Sequence, residues 1–139
     1  MQTLKTGTNS SRPWLNAGIW LVQVMIAVPF VAIGAIKLTM PLDQVAKLAP
    51  WAIEYPRFVR LIGLIDLAGG IGLILPALTR IKPQLTVWAA VGCAALMVCA
   101  IVFHLVRGEA NAIGLNIVLL GLTLIAWWGR SRAVPIRPR

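Results

Sequence analysis

The run Phe58-Val59-Arg60-Leu61-Ile62-Gly63-Leu64-Ile65-Asp66, continued through Gly69-Gly70-Ile71-Gly72-Leu73-Ile74-Leu75-Pro76 to Leu78, decides the fold. It is apolar apart from two ionisable side chains, and about 20 such residues carry an α-helix across the hydrocarbon core of a bilayer. Asp66 shares a helical face with Gly63 at i−3 and with Gly69 and Gly70 at i+3 and i+4. That face has almost no side chain. It either approaches a neighbouring backbone closely or lines a cavity, and the carboxylate points into whichever exists.

The rest of the chain has the same character. Of its 139 residues 59% are hydrophobic and 12% charged, against about 45 to 50% apolar in a soluble domain. The spacing predicts four spans, at about 14–38, 58–78, 84–106 and 111–129, with a polar tail at 1–13 and a basic tail at 130–139. A cleavable secretory signal competes for the first span, but its apolar run exceeds the roughly 7 to 15 residues of a signal core, so a retained helix is expected. Between Met40 and Pro56 the prolines and charges exclude a span, while Leu42, Val45, Leu48 and Trp51 are spaced for a short interfacial helix on the bilayer surface. The expected fold is therefore all-α: a transmembrane four-helix bundle with that short helix between the first and second spans. Four spans put both termini on one side. Lys5, Arg12, Arg80, Lys82, Arg130, Arg132, Arg137 and Arg139 then share a side, against Lys37, Lys47, Arg57, Arg60 and Arg107 opposite. The excess predicts cytoplasmic termini in a bacterial-type inner membrane. Trp14, Trp20, Trp88, Trp127 and Trp128 fall toward the same face as an aromatic belt, and Trp51 marks the outer surface.

The net charge of +9 would suggest nucleic acid in a soluble protein. Here the cations sit at span ends, where lipid headgroups account for them, and nucleic-acid binding is excluded. Cys93 and Cys99 lie six residues apart on one helix, about 240° round, and cannot pair. The single histidine, one deep aspartate and two separated cysteines make a poor metal set, and haem ligation by His104 with Met97 fails because both lie on one helix. There is no phosphate loop, nucleophile elbow or paired-carboxylate spacing, so the chain is not expected to be an enzyme on its own.

Ionisable groups within spans cost about 2.5 to 3.5 kcal/mol by insertion scales and persist where they face protein or a wet cavity. In the first span Asn16, Gln23, Ala27, Phe30, Gly34 and Lys37 form one polar and small stripe, beside Pro29, which is expected to kink the helix. At 1.5 Å per residue, Asp66 lies about 12 Å below the outer end of its span, Asn116 about 7 Å, His104 about 5 Å and Arg60 about 3 Å, with Lys37 at the end of the first. Every helix thus contributes a polar group to the outer half. Lys37, Arg60, Asp66, His104 and Asn116 are the candidate site for binding a ligand or handling protons, with no catalytic or metal-ligating residue among them. Most also have a structural reading: Lys37 and Arg60 can snorkel to headgroups, His104 can be a structural hydrogen-bonder, and Asp66 can form an ion pair or hydrogen bond with Lys37, His104 or Asn116.

The order and spacing of Gly34-Ala35-Ile36-Lys37-Leu38, the Phe58 to Pro76 run, and His104-Leu105-Val106-Arg107-Gly108-Glu109 resemble those of DoxX-like small membrane proteins over roughly residues 20–130. One departure is Asp66, where the family more often has Glu; the side chain reaches one methylene less far. The resemblance implies a four-helix bundle associated with membrane redox chemistry, in a family that also includes assembly factors. The resulting expectation is an accessory subunit of a membrane redox system, with a redox partner subunit, a quinone as its compatible ligand, and self-association open. A noncatalytic scaffold and a proton-linked solute carrier are the alternatives; the carrier is disfavoured because a single copy has no internal repeat.

Overall fold

The structure is a computed structural model that describes residues 12–139; the tail expected before residue 12 lies outside the described residues. The chain is all-α. Helix α1 is Pro13–Thr39, α2 Leu42–Leu48, α3 Pro56–Thr79, α4 Gln84–Val106 and α5 Gly114–Trp128. Short 3-10 turns at Pro50–Ala52 and Ala110–Ala112 precede α3 and α5. Three helices, α1, α3 and α4, are long and apolar enough to cross a membrane. Prolines open α1 and α3, where no intrahelical N–H bond is lost. Helix α1 continues unbroken through Pro29. The turn after α3 places both Arg80 and Lys82 in the left-handed region, at φ 58° and 48°, which reverses the chain within four residues.

Successive long helices run antiparallel. One end carries the amino end of α1, Arg80 and the residues after α5; we call it the arginine end. The other carries α2, the end of α4 and the start of α5, and is the lid end. A core of Ile26, Phe30, Leu73, Cys93, Met97 and Leu119 joins α1, α3, α4 and α5.

The pairing of α1 with α3 is the closest. A methyl group on Gly34 would sit 2.8 Å from both the Gly63 carbonyl oxygen and the Leu67 nitrogen, and one on Gly63 would sit 2.7 Å from Lys37 Cβ. Backbone meets backbone with nothing between, so dispersion contact is gained over a long face without side-chain ordering. Buried Gln23 adds a hydrogen bond from its Nε2 to the Leu73 carbonyl of α3.

Two boundaries differ from the sequence expectation. The fourth apolar helix starts at Gly114 rather than 111, and helical structure does not stop at Gly129: a π-helical segment, Gly129–Ala133, carries it into the basic stretch. The reason is Arg130. Gly129 packs directly on Ile19, and Arg130, only 4% exposed, donates from Nε to Gln23 Oε1 at 2.5 Å and from Nη1 to Asn16 Oδ1 at 2.7 Å. It also stacks over Trp20. A third difference concerns the short helix. Part of its apolar face turns into the protein: Val45 is buried with Trp51, Ala52 and Val59, because these side chains find an apolar surface on Ile36 and Phe103.

Gly34→Ala forces α1 from α3 against immovable backbone and is expected to destabilise the protein by about 1 to 3 kcal/mol. Gly92→Ala meets no atom within 4 Å and stabilises by about 0.5 to 1 kcal/mol through helix propensity. Thermal unfolding of both variants in the same detergent reads the opposite signs.

Candidate functional site

Lys37 and Asp66 meet across the α1–α3 contact. Gly63 lets the Lys37 stem lie directly on α3, and Nζ reaches Asp66 Oδ2 at 2.7 Å. The aspartate side chain is 6% exposed and the lysine 15%, so removing either partner alone strands a charge in a poorly solvated place, a loss of about 3 to 5 kcal/mol. Of the partners open to Asp66 in the sequence, Lys37 is the one it takes.

Arg60 has a different place from the one expected. It does not line the site. Its guanidinium donates to the Lys37 carbonyl, and from Nη2 to the Met40 carbonyl at 2.9 Å. The last carbonyls of α1 have no intrahelical partner, and an arginine one helix away satisfies them. Arg60 therefore positions Lys37 through its backbone.

The lid end is closed by a second ionic network that the sequence reading missed. After Gly108, at φ +72°, the chain turns back so that Glu109 Oε2 sits 2.8 Å from His104 Nδ1 and Glu109 Oε1 accepts from Arg107 Nε at 2.9 Å. A carboxylate only accepts, so Nδ1 carries the proton of this bond. Arg107 then forks onto Glu54, at 2.8 and 3.1 Å, tying the segment after Trp51 to the end of α4. Beneath this latch Trp51 stacks edgewise on Phe103, with ring centres 5.3 Å apart, and Phe58 packs against both. Both latch carboxyls sit below their ordinary value of 4.5, Glu54 chiefly by the Arg107 hydrogen bonds and Glu109 chiefly by that from His104, then Arg107.

Under the lid is a cavity of about 770 Å³ between α1, α3, α4 and α5, within the 300 to 1,000 Å³ typical of small-molecule sites. Its wall is mostly apolar, from Phe30, Ile62, Met97 and Leu119 to the Trp51 lid. Lys37, Asp66, His104 and Asn116 all line it, as does Glu109. Four of the five sequence candidates thus converge. The Asn116 amide is otherwise engaged only by a 3.5 Å bond to Ala112 of its own chain segment. Leu61, Ile65, Cys99 and Leu115 line the cavity and are also exposed, so it communicates with the outer face of the helices. Cys99, not among the sequence candidates, lines the cavity, whereas Cys93 is buried in the core. The scarcity of carboxylates was the signal for Glu109: with only four in the chain, one set beside the lone histidine and an arginine near a helix end is a poor candidate for idle surface charge, whereas nothing in the sequence pairs Glu54 with Arg107.

The model of the DoxX-like family matches residues 21–126. The chain belongs to the DoxX-like family. Comparisons with curated proteins and with solved structures each return no match.

Because the carboxyl values of Glu54 and Glu109 are depressed, the latch contributes fully above the ordinary carboxyl value and is lost as pH falls through the lower, folded one. Trp51 emission, read with the other five tryptophans changed to Phe, is expected to stay constant from about pH 7 to about pH 5 and to shift red only at more acidic pH. In Glu54→Gln the red-shifted emission is present already at neutral pH.

Proposed function

We propose that the protein is an accessory subunit of a membrane redox system, not an enzyme on its own, whose lid-end cavity holds the headgroup of a quinone-like small molecule. On this reading α5 with its π-helical extension crosses the bilayer as a fourth span of a four-helix bundle. The cation-rich arginine end then faces the cytoplasm of a bacterial-type inner membrane, and the cavity opens toward the outer side. One observation carries the proposal: an ammonium, two carboxylates, an imidazole and an amide from four helices and the turn after α4 meet on one apolar cavity of ligand size. Apolar walls with a few convergent polar groups are what a flat, two-carbonyl ring requires. Asn116 and His104 would hydrogen-bond its oxygens. His104, held by Glu109 through Nδ1, keeps Nε2 for a proton to or from the ligand, while Lys37 balances the charge of Asp66. Electrons would come from a partner subunit.

A noncatalytic scaffold is the second reading, and a specific observation favours it: Lys37 with Asp66, and His104 with Glu109 and Arg107, are each already satisfied inside the protein. A proton-linked carrier has no comparable support.

Cys99 makes the two separable. In Cys93→Ala protein reconstituted in lipid, N-ethylmaleimide labels Cys99 alone. Decylubiquinone, whose fully substituted ring does not alkylate thiols, is expected to slow that labelling about tenfold at saturation, and Asn116→Leu to abolish the protection. An unchanged labelling rate at every quinone concentration favours the scaffold.

A further inference from the structure

The arginine end holds a second cavity, independent of the first. It has a volume of about 970 Å³ and is walled by Arg12, Arg80, Arg132 and Arg137, with Trp20 and Trp128 beside them. The chain after the π-helical segment builds one side: Arg130 Nη1 donates to the Val134 carbonyl at 3.2 Å, and the Arg139 N–H reaches the Arg80 carbonyl at 3.3 Å. Four arginines thereby border one hollow.

Their charge is uncompensated. The four carboxylate side chains of the chain are Asp43, Glu54, Asp66 and Glu109, on α2, in the lid, in the half of α3 toward the lid, and after α4. None lines this cleft. Arg12, Arg80, Arg132 and Arg137 make no side-chain hydrogen bond among the described residues. A second and separate observation lies behind the wall. Arg130, 4% exposed, engages Asn16 and Val134, both cleft residues, yet its Nη2 has no acceptor among the described residues. Arg130 does not itself line the cleft but holds the wall behind it, and four arginines at one hollow with no carboxylate side chain in its wall suit an anion with several oxygens.

The surroundings identify the anion's source. Trp14, Trp88 and Trp128 are exposed at this same end, the level at which indole rings meet headgroups. Pro13, Ala77 and Ile136 give the cleft apolar wall beside its charge, suited to glycerol and acyl carbons and of no use to a free ion. We propose that this cleft binds the phosphate headgroup of an acidic phospholipid, with Arg80, Arg132 and Arg137 on the phosphate oxygens and Trp20 and Trp128 against the glycerol end. The bound lipid ties the chain after α5 to the ends of α1 and α3. It acts at the opposite end from the lid and does not depend on what the lid-end cavity holds.

The full chain in detergent is titrated with tetraoleoyl cardiolipin, with dioleoyl phosphatidylcholine and with inorganic phosphate, and bound adducts are counted by native mass spectrometry. Cardiolipin is expected to bind at least about tenfold tighter than phosphatidylcholine. Arg132→Gln and Arg137→Gln, on exposed side chains, each lower its affinity about fivefold, the change that corresponds to about 1 kcal/mol per arginine near a lipid surface. Lys47→Gln and Arg57→Gln, each an equal charge loss at the lid end, leave it unchanged. Equal binding of the two lipids overturns the proposal, as does an equal loss in the lid-end variants. Displacement of cardiolipin by inorganic phosphate that binds as well alone assigns the cleft to a free anion and overturns the lipid.

Discussion

The contact between Gly34 and Gly63 is the constraint on which the rest of the structure depends. With no side chain at either position, α1 and α3 touch backbone to backbone, and only at that separation does the Lys37 stem fit along α3 to reach Asp66. Arg60 finishes the junction by taking the open carbonyls at the end of α1. A charged pair then exists inside an otherwise apolar protein without stranding either charge, and one wall of the lid-end cavity is fixed in place.

The two ends of the molecule handle charge in opposite ways. At the lid end the charges around the cavity and its lid are matched: Lys37 with Asp66, Arg107 with Glu54 and Glu109, His104 with Glu109. At the arginine end the cations outnumber any partner in the chain, and only Arg130 is drawn inside, onto Gln23, Asn16 and Trp20. Matched charge around an apolar hollow suits a neutral polar ligand. Unmatched charge beside tryptophan suits the anionic surface of a membrane.

The helices were legible because hydropathy and length dominate in such a chain; the ends of α1, α3 and α4 fall within two residues of the expected spans. The small-residue face of α3 announced its close approach, and the depths of Lys37, Asp66, His104 and Asn116 put them in the same half of the bundle. What spacing could not carry was direction after a turn. Gly108 sends Glu109 back onto His104, and the 3-10 turn at Pro50–Ala52 folds Trp51 inward; neither is encoded in a helical period. Arg60 was misjudged because its depth matched the site while the unsatisfied carbonyls of α1 are visible only once two helices are placed together. Arg130 was read as tail because a terminal cation ordinarily belongs to solvent, and its acceptors lie 107 and 114 residues away in sequence.

The central claim, that the lid-end polar groups face a ligand and not merely one another, is tested most directly by infrared difference spectroscopy of decylubiquinone carbonyl-labelled with carbon-13 and bound to the reconstituted protein. The account predicts a carbonyl stretch displaced to lower frequency than in protein-free bilayers, returning to the free position in His104→Ala combined with Asn116→Leu. A carbonyl band identical with and without the protein contradicts it.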